Sequence, residues 1–359
     1  MRLGILGLAQ SGRKTLFKLL TSAQCAPRTD SRGEFPVGAG IVPDARLERF
    51  ASVVRPKKVR HAEIEWALLP ELPAEERARE RWFEEARALD GFCIVLRQFG
   101  DPSVYHELGS VDPARDLAKL DLELTVADLA VVETRLQRLS RETARKTAAE
   151  RGKQEEVLER LKAELEAGRG LRGLALSEAD EERLGGLKFL TRKDRLIVLN
   201  VDEKLIAEEH LPQKLGLGGA EPDSGPPIAT VSAKVEAELA EIEDAGERAE
   251  LLAGLGLREP AAARVSRAAL RATGRIVFFT GNREEARAWL LRRGATALEA
   301  AGTVHSDFAR GFIRAEQTTV DELVAAGSEA RLRERGRLAI RGKDYVVQDG
   351  DVLHILANV

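Results

Sequence analysis

Short apolar runs recur along the chain, separated by polar or helix-period stretches. Leu3 to Leu6, Ile64 to Leu69, Phe92 to Leu96, Leu196 to Leu199 and Ile228 to Val231 have the length and composition of strands buried on both faces of a parallel sheet. Thr15 to Leu20, residues 46–55 and residues 73–88 carry helical spacing, and the last of these is dense in Glu, Arg and Ala with no glycine, which favours a fixed helix. From Leu122 the period is clearly helical: Leu122, Val126, Leu129, Val132, Leu136 and Leu139 recur every three or four positions. After a polar break near Gly152, Leu158, Leu161 and Leu165 resume the pattern, and Gly168-Arg169-Gly170 ends it. This reads as an antiparallel helical hairpin with a narrow, coiled-coil-like seam. Residues 238–274 read as further helices. Beyond Gly274, the strand-like pieces Ile276 to Phe279, Gly311 to Arg314, Val346-Val347 and Val352 to Ile355 describe a glycine-punctuated α+β module. Residues 23–45, rich in Pro, Gly and polar side chains, read as loop.

The pattern thus predicts an α/β chain with a parallel-type sheet, a helical insertion and a second, smaller module. A length of 359 residues accommodates two or three domains. The expected division is 1–121 and 189–274 for the α/β domain, 122–188 for the hairpin and 275–359 for the C-terminal module. A net charge of −3 argues against a protein that coats nucleic acid uniformly, so basic surface must be local and no DNA partner is expected. Cys25 and Cys93 are too few for a disulfide framework and have no metal spacing; a reducing, cytoplasmic setting is expected. No apolar run approaches the length of about 20 residues that a membrane helix needs, and the first residues lack a signal-peptide profile.

The chemistry concentrates at the first strand. Gly7 opens the loop Leu8-Ala9-Gln10-Ser11-Gly12, and a helix follows. Strand, glycine loop and helix start form the setting of a phosphate-binding loop, where unpaired N–H groups and the helix dipole converge on an anion. Gly7 and Gly12 have the spacing of G-x-x-x-x-G-K-[ST], but Arg13 stands in the lysine position, Lys14 in the hydroxyl position, and Thr15 comes one residue late. Gly7, Gln10, Ser11, Gly12, Arg13, Lys14 and Thr15 are the candidate phosphate contacts. Lys14 cannot ligate Mg²⁺, no Ser or Thr lies between Glu34 and Asp44 to do so, and Leu68 and Glu71 occupy the places of the Asp and Gly of a D-x-x-G switch. No metal ligand is therefore assigned. Losing both side-chain routes to Mg²⁺ should slow phosphoryl transfer by roughly a thousandfold or more.

Further along, Asn200-Val201-Asp202-Glu203 follows a strand, and Ser232-Ala233-Lys234 follows the next. An Asn there can brace loops and reach a purine edge, a carboxylate can pair with base donors, and backbone N–H groups of Ser232 and Ala233 can meet the base. Two basic groupings stand out. Arg138, Arg141, Arg145 and Lys146 gather at the hairpin tip, and Arg331, Arg333, Arg335 and Arg337 alternate as if along one strand face. The first suits a phosphate backbone and the second RNA or an acidic protein; on the residues alone, a solvated helix end and a charge-guarded edge strand are the favoured readings. His305 and His354 read as packing or surface residues.

Taken together, GLAQSGRKTLF at the start, IVPDARL at 41–47, VDPARDLAKLDLELTVADL at 111–129, NVDE at 200–203 and SAKVEAELAEI at 232–242 resemble the YchF/Obg-like ATPase family of P-loop proteins. The C-terminal segments GATALEAAGTVHSDFARGFIRAE and GKDYVVQDGDVLHILANV resemble that family's TGS domain. The resemblance covers nearly the whole chain. It implies a G domain interrupted by a helical hairpin, a β-grasp-like TGS domain, a purine triphosphate site with a preference for ATP, and association with ribosomes. The family's Asn-x-x-Glu base motif falls on Asn200 and Glu203, with Val201 between them. The departures at Arg13, Lys14, Leu68 and Glu71 lie where the chemistry would be. Three readings follow: a protein that binds ATP or GTP weakly with little hydrolysis and serves the ribosome or rRNA, a scaffold with an empty G domain, or an ATPase with a rewired site.

Overall fold

The computed structural model describes residues 1–21, 35–141, 148–208, 210–217 and 225–358. Two six-stranded sheets organise it. In the first, β1 (Arg2–Leu6) lies at the centre and is followed directly by the glycine loop and α1 (Arg13–Thr21). β2 (Val37–Val42), α2 (Ala45–Val54), the short β3 (Lys58–Arg60) and β4 (Ala62–Leu68) come next. Helix α3 (Glu76–Arg87), β5 (Gly91–Arg97), the long α4 (Pro113–Arg141) and α5 (Ala148–Glu166) precede β6 (Asp194–Asn200) and β7 (Ile228–Val231). The strand order is β2-β4-β1-β5-β6-β7. All these neighbours run parallel except β2, which is antiparallel to β4. Every residue of β5 is buried, as is most of β1 and β6, because helices cover both faces.

The expected loop at 23–45 contains a strand. The reason is steric: β2 runs between β4 and α1 so tightly that a side chain at Gly40 would begin 2.3 Å from the Leu20 carbonyl. Its glycines therefore serve close approach, although in sequence they resemble turn residues.

The helical pair is antiparallel, as expected: Glu133 meets Lys162 and Arg135 donates to Gln154 across it. Val132 and Leu139 bury against Val157, Leu158, Leu161 and Leu165. The seam differs from the sequence reading at its start. Leu122 and Val126 are exposed, and α4 begins at Pro113, where Asp112 accepts from the Arg115 amide. Its first turns carry Leu120, Leu124 and Ala127 into the core beside β5 and β6.

The second sheet has the order β11-β10-β12-β8-β9-β3. It comprises β8 (Arg275–Gly281), β9 (Glu285–Arg292), β10 (Phe312–Thr319), β11 (Ala339–Arg341) and β12 (Asp351–Ala357), and β3 from the first third of the chain pairs parallel with β9. The C-terminal module is thus not built from its own residues alone. Leu47 and Phe50 of α2 share one buried cluster with Val277, Phe279, Val320, Leu323 and Val352. The Arg331–Arg337 row does not form a strand face. Ser328 caps a helix at Glu329–Glu334, Leu332 is buried beneath it, and Gly336 follows with φ 63°. His305 caps the helix Ser306–Arg310, and His354 lies exposed on β12.

Ion pairs reinforce the junction between α2 and the second sheet. Arg46 grips Asp349 at 2.7 Å, and the Val277 amide donates to the same carboxylate at 2.8 Å. Burial alone would push the Asp349 carboxyl up, but Arg46 and the Val277 amide outweigh it and hold it below its ordinary value. A depressed carboxyl contributes stability above the unfolded value of about 3.9 and loses it as pH falls through the folded value. Accordingly, Asp349→Asn should lower the thermal midpoint near neutral pH, and the gap from the native chain should close below about pH 4. Melting curves across pH check this; a gap that stays constant to acid pH would contradict it.

Candidate functional site

The carboxyl ends of β1, β5, β6 and β7 open into one cleft of about 1140 Å³, where ligands sit in open α/β sheets. Gln10, Gly12 and Thr15 line one side. Asn200, Val201, Glu203, Ser232 and Ala233 line the other. The two halves of the motif, far apart in sequence, meet through Asn200. Its Nδ2 donates to the Ser11 carbonyl at 2.9 Å and its Oδ1 accepts from the Ala233 amide at 3.0 Å. Asn200 is buried, so both bonds form away from competing water. Gly12 is required here: its φ is 98°, and a side chain would begin 2.2 Å from Asn200 Nδ2. Gln10 also takes a left-handed conformation, with φ 57°. These turns leave the first N–H groups of α1 without helical acceptors, directed at the mouth of the loop.

Asp202 and Glu203, indistinguishable in sequence, differ in place. Asp202 accepts from the Gly100 amide at 3.0 Å and braces the segment after β5, whereas Glu203 opens a 3₁₀ turn and stays exposed at the rim. Phe99, Gly100, Asp101 and Val104 complete the cleft wall and were not singled out by sequence reasoning. Their position directly after a central strand was the available signal. Farther along this segment, buried His106 accepts from the Leu108 amide through Nδ1, which leaves Nε2 as the donor to Asp116 at 3.0 Å.

The remaining basic residues divide. Arg138 and Arg141 are exposed in the last turn of α4, where the helix dipole favours cations, while Arg145 and Lys146 lie outside the described residues. Arg333 pairs with Glu316 at 2.7 Å; Arg335, at the end of its helix, is exposed.

With this geometry in place, similarity to known proteins is informative. A family model described as "YchF-GTPase_C: Protein of unknown function (DUF933)" matches residues 276–358. The Ribosome-binding ATPase YchF of Bacillus subtilis (strain 168) is 34% identical over 367 residues, covering 99% of each chain. The Escherichia coli O157:H7 protein of the same description is 33% identical over 364 residues, again with 99% of each covered. The chain belongs to the YchF/Obg-like ATPase family. Obg-like ATPase 1 of Oryza sativa subsp. japonica, another similar protein, is 31% identical over 100% of this chain and 92% of its own. The solved Schizosaccharomyces pombe YchF GTPase shares the fold, with a TM-score of 0.82 at 24% identity, covering 99% of this chain and 97% of that one.

Arg13 and Lys14 stand at the start of α1, directly after Gly12. Arg13 does not point into the cleft. Its side chain lies against Gly7, Nη1 donates to the Leu69 carbonyl at 2.7 Å, and Nη2 lies 3.6 Å from Glu71 Oε1. Arg13, a candidate phosphate contact in the sequence, thus has its guanidinium engaged by the segment after β4. Burial depresses its pKa, with Glu71 and Glu107 opposing. That segment is itself fixed, with the Leu69 amide bonded to the Ile5 carbonyl and Trp82 Nε1 to the Pro70 carbonyl. Lys14 is exposed and forms no ion pair among the described residues. At this end of the loop an ammonium, Lys14, stands in the position of the hydroxyl that would ligate magnesium, so that position offers the ion no ligand. No group of three or more His, Cys, Asp or Glu among the described residues could hold a metal ion.

Proposed function

We propose that this YchF-family protein binds a purine nucleotide, ATP or GTP, in the cleft between Gly12 and Ser232-Ala233, and that it has weak or no Mg²⁺-dependent hydrolysis. The observation that carries the reading is the contrast within one site. The parts that shape a nucleotide cleft are joined by Asn200, while Lys14 stands where a hydroxyl would hold a divalent ion and Leu68 where a carboxylate would. Phosphoryl transfer relies on a metal and on donors to neutralise developing charge, so binding can outlast turnover.

We further assign the chain a ribosome-associated, cytoplasmic role, by similarity to its bacterial relatives, which are ribosome-binding ATPases. Among the described residues no helix is long and apolar enough to cross a membrane. Arg138 and Arg141 at the hairpin and Arg333 and Arg335 on the C-terminal module are the residues proposed to meet rRNA phosphates; Arg145 and Lys146, candidates from the sequence, lie outside the described residues. The division into nucleotide-binding parts (1–121 and 189–274), hairpin (122–188) and TGS-like module (275–359) remains our working description.

Phosphate release from ATP and GTP, with Mg²⁺ and with EDTA, tests the catalytic half. Release in Mg²⁺ should stay close to release in EDTA. Mg²⁺-dependent release abolished by Lys14→Ala would overturn it in favour of a rewired ATPase.

A further inference from the structure

We infer that the cleft selects nucleoside diphosphates over triphosphates without a metal, because the Arg13–Leu69–Glu71 contact closes the end of the loop where a third phosphate would lie. The inference rests on the reading of the cleft as a nucleotide site. In P-loop proteins the last phosphate reaches toward the switch segment after the neighbouring strand and is received there by donors. Here that segment is the stretch after β4. It presents a carbonyl, Leu69, and a carboxylate, Glu71, which are acceptors, and Arg13 covers them. Its start is also held through Ile5 and Trp82, by hydrogen bonds at Leu69 and Pro70.

A triphosphate would have to draw Arg13 away from Leu69. That leaves a buried carbonyl unpaired and brings the new charge toward Glu71, with Glu107 near enough to act on the same guanidinium. A diphosphate meets no such obstacle. Its second phosphate ends against the free N–H groups at the start of α1. Ser11 adds a donor with no partner: it is 3% exposed, its Oγ has no hydrogen bond, and it lies beside Gly7 within the loop. The contact between Arg13 and Glu71 therefore remains in place when a diphosphate binds, so the loop is complete without an exchange of switch states.

Calorimetric titration of the full chain with ADP, ATP, GDP and GTP, in Mg²⁺ and in EDTA, tests this. The diphosphates should bind about tenfold tighter than the matching triphosphates, as expected when a like charge is removed from a partly buried site, and EDTA should leave the ratio unchanged. Glu71 is largely exposed, so Glu71→Gln should fold normally. It should narrow the ratio to within about threefold by improving triphosphate binding. A triphosphate preference, or a ratio unchanged in Glu71→Gln, would overturn the inference while leaving the nucleotide site standing. Absence of any saturable binding would overturn both.

Discussion

Replacing Asp128 with alanine is expected to cost about 3–5 kcal/mol of unfolding free energy, the largest effect of any single polar substitution considered for this chain. Asp128 sits on α4 and is fully buried. It accepts from the Leu190 amide at 3.0 Å, the Thr191 amide at 2.8 Å and Thr191 Oγ1 at 2.9 Å, and Arg87 of α3 approaches to 3.4 Å. One carboxylate thus ties the base of the helical pair to α3 and to the segment that leads back into β6. Burial pushes its carboxyl up while these donors pull it down, and burial prevails. Alanine would strand two buried amides and remove the acceptor of the Thr191 hydroxyl at once. Urea unfolding followed by circular dichroism checks the prediction; a loss below about 1 kcal/mol would show that the junction does not depend on this group.

Asn200→Ala is expected to weaken nucleotide binding by at least about tenfold and to cost about 2–3 kcal/mol of stability. Both ends of its amide are committed, one to the phosphate loop at Ser11 and one to Ala233 on the opposite wall. Without it the Ala233 amide loses its acceptor, and among the described residues no other side-chain hydrogen bond joins the phosphate loop to the Ala233 wall. Asn200→Asp separates the two roles, because a carboxylate still accepts from Ala233 but faces the Ser11 carbonyl with no donor. Thermal shift with and without nucleotide reads both. Unchanged affinity in Asn200→Ala would mean that the bridge shapes the fold and not the site.

What the sequence made legible follows from how locally each feature is encoded. The central strands announce themselves as apolar runs because helices cover both faces of the sheet. Gly7, Gly12, Asn200 and Ser232-Ala233 could be placed at strand ends, and the fold then joins them. Features that depend on a distant neighbour were hidden. β2 reads as loop because its glycines answer to the Leu20 carbonyl. β3 is three residues whose partner is β9, more than 200 positions away. The arginine row alternates like a strand, but Ser328 and Gly336, a helix start and stop, decide otherwise. Asp112-Pro113 was a readable helix start that outranks the apolar period beginning at Leu122. Asp128 lay in the helical stripe as an acid among apolar residues, a signal of a buried acceptor. The fate of Arg13 could not be read, since its partners, Leu69 and Glu71, reach it only through the pairing of β1 with β4.

The proposed function requires the loop to hold phosphates without a divalent ion. Titration of the full chain with a fluorescent purine nucleotide in excess EDTA, repeated in Mg²⁺, tests this most directly. Saturable binding of equal strength in the two conditions is the predicted result. Binding that appears only when Mg²⁺ is present, or none at millimolar nucleotide, would contradict it.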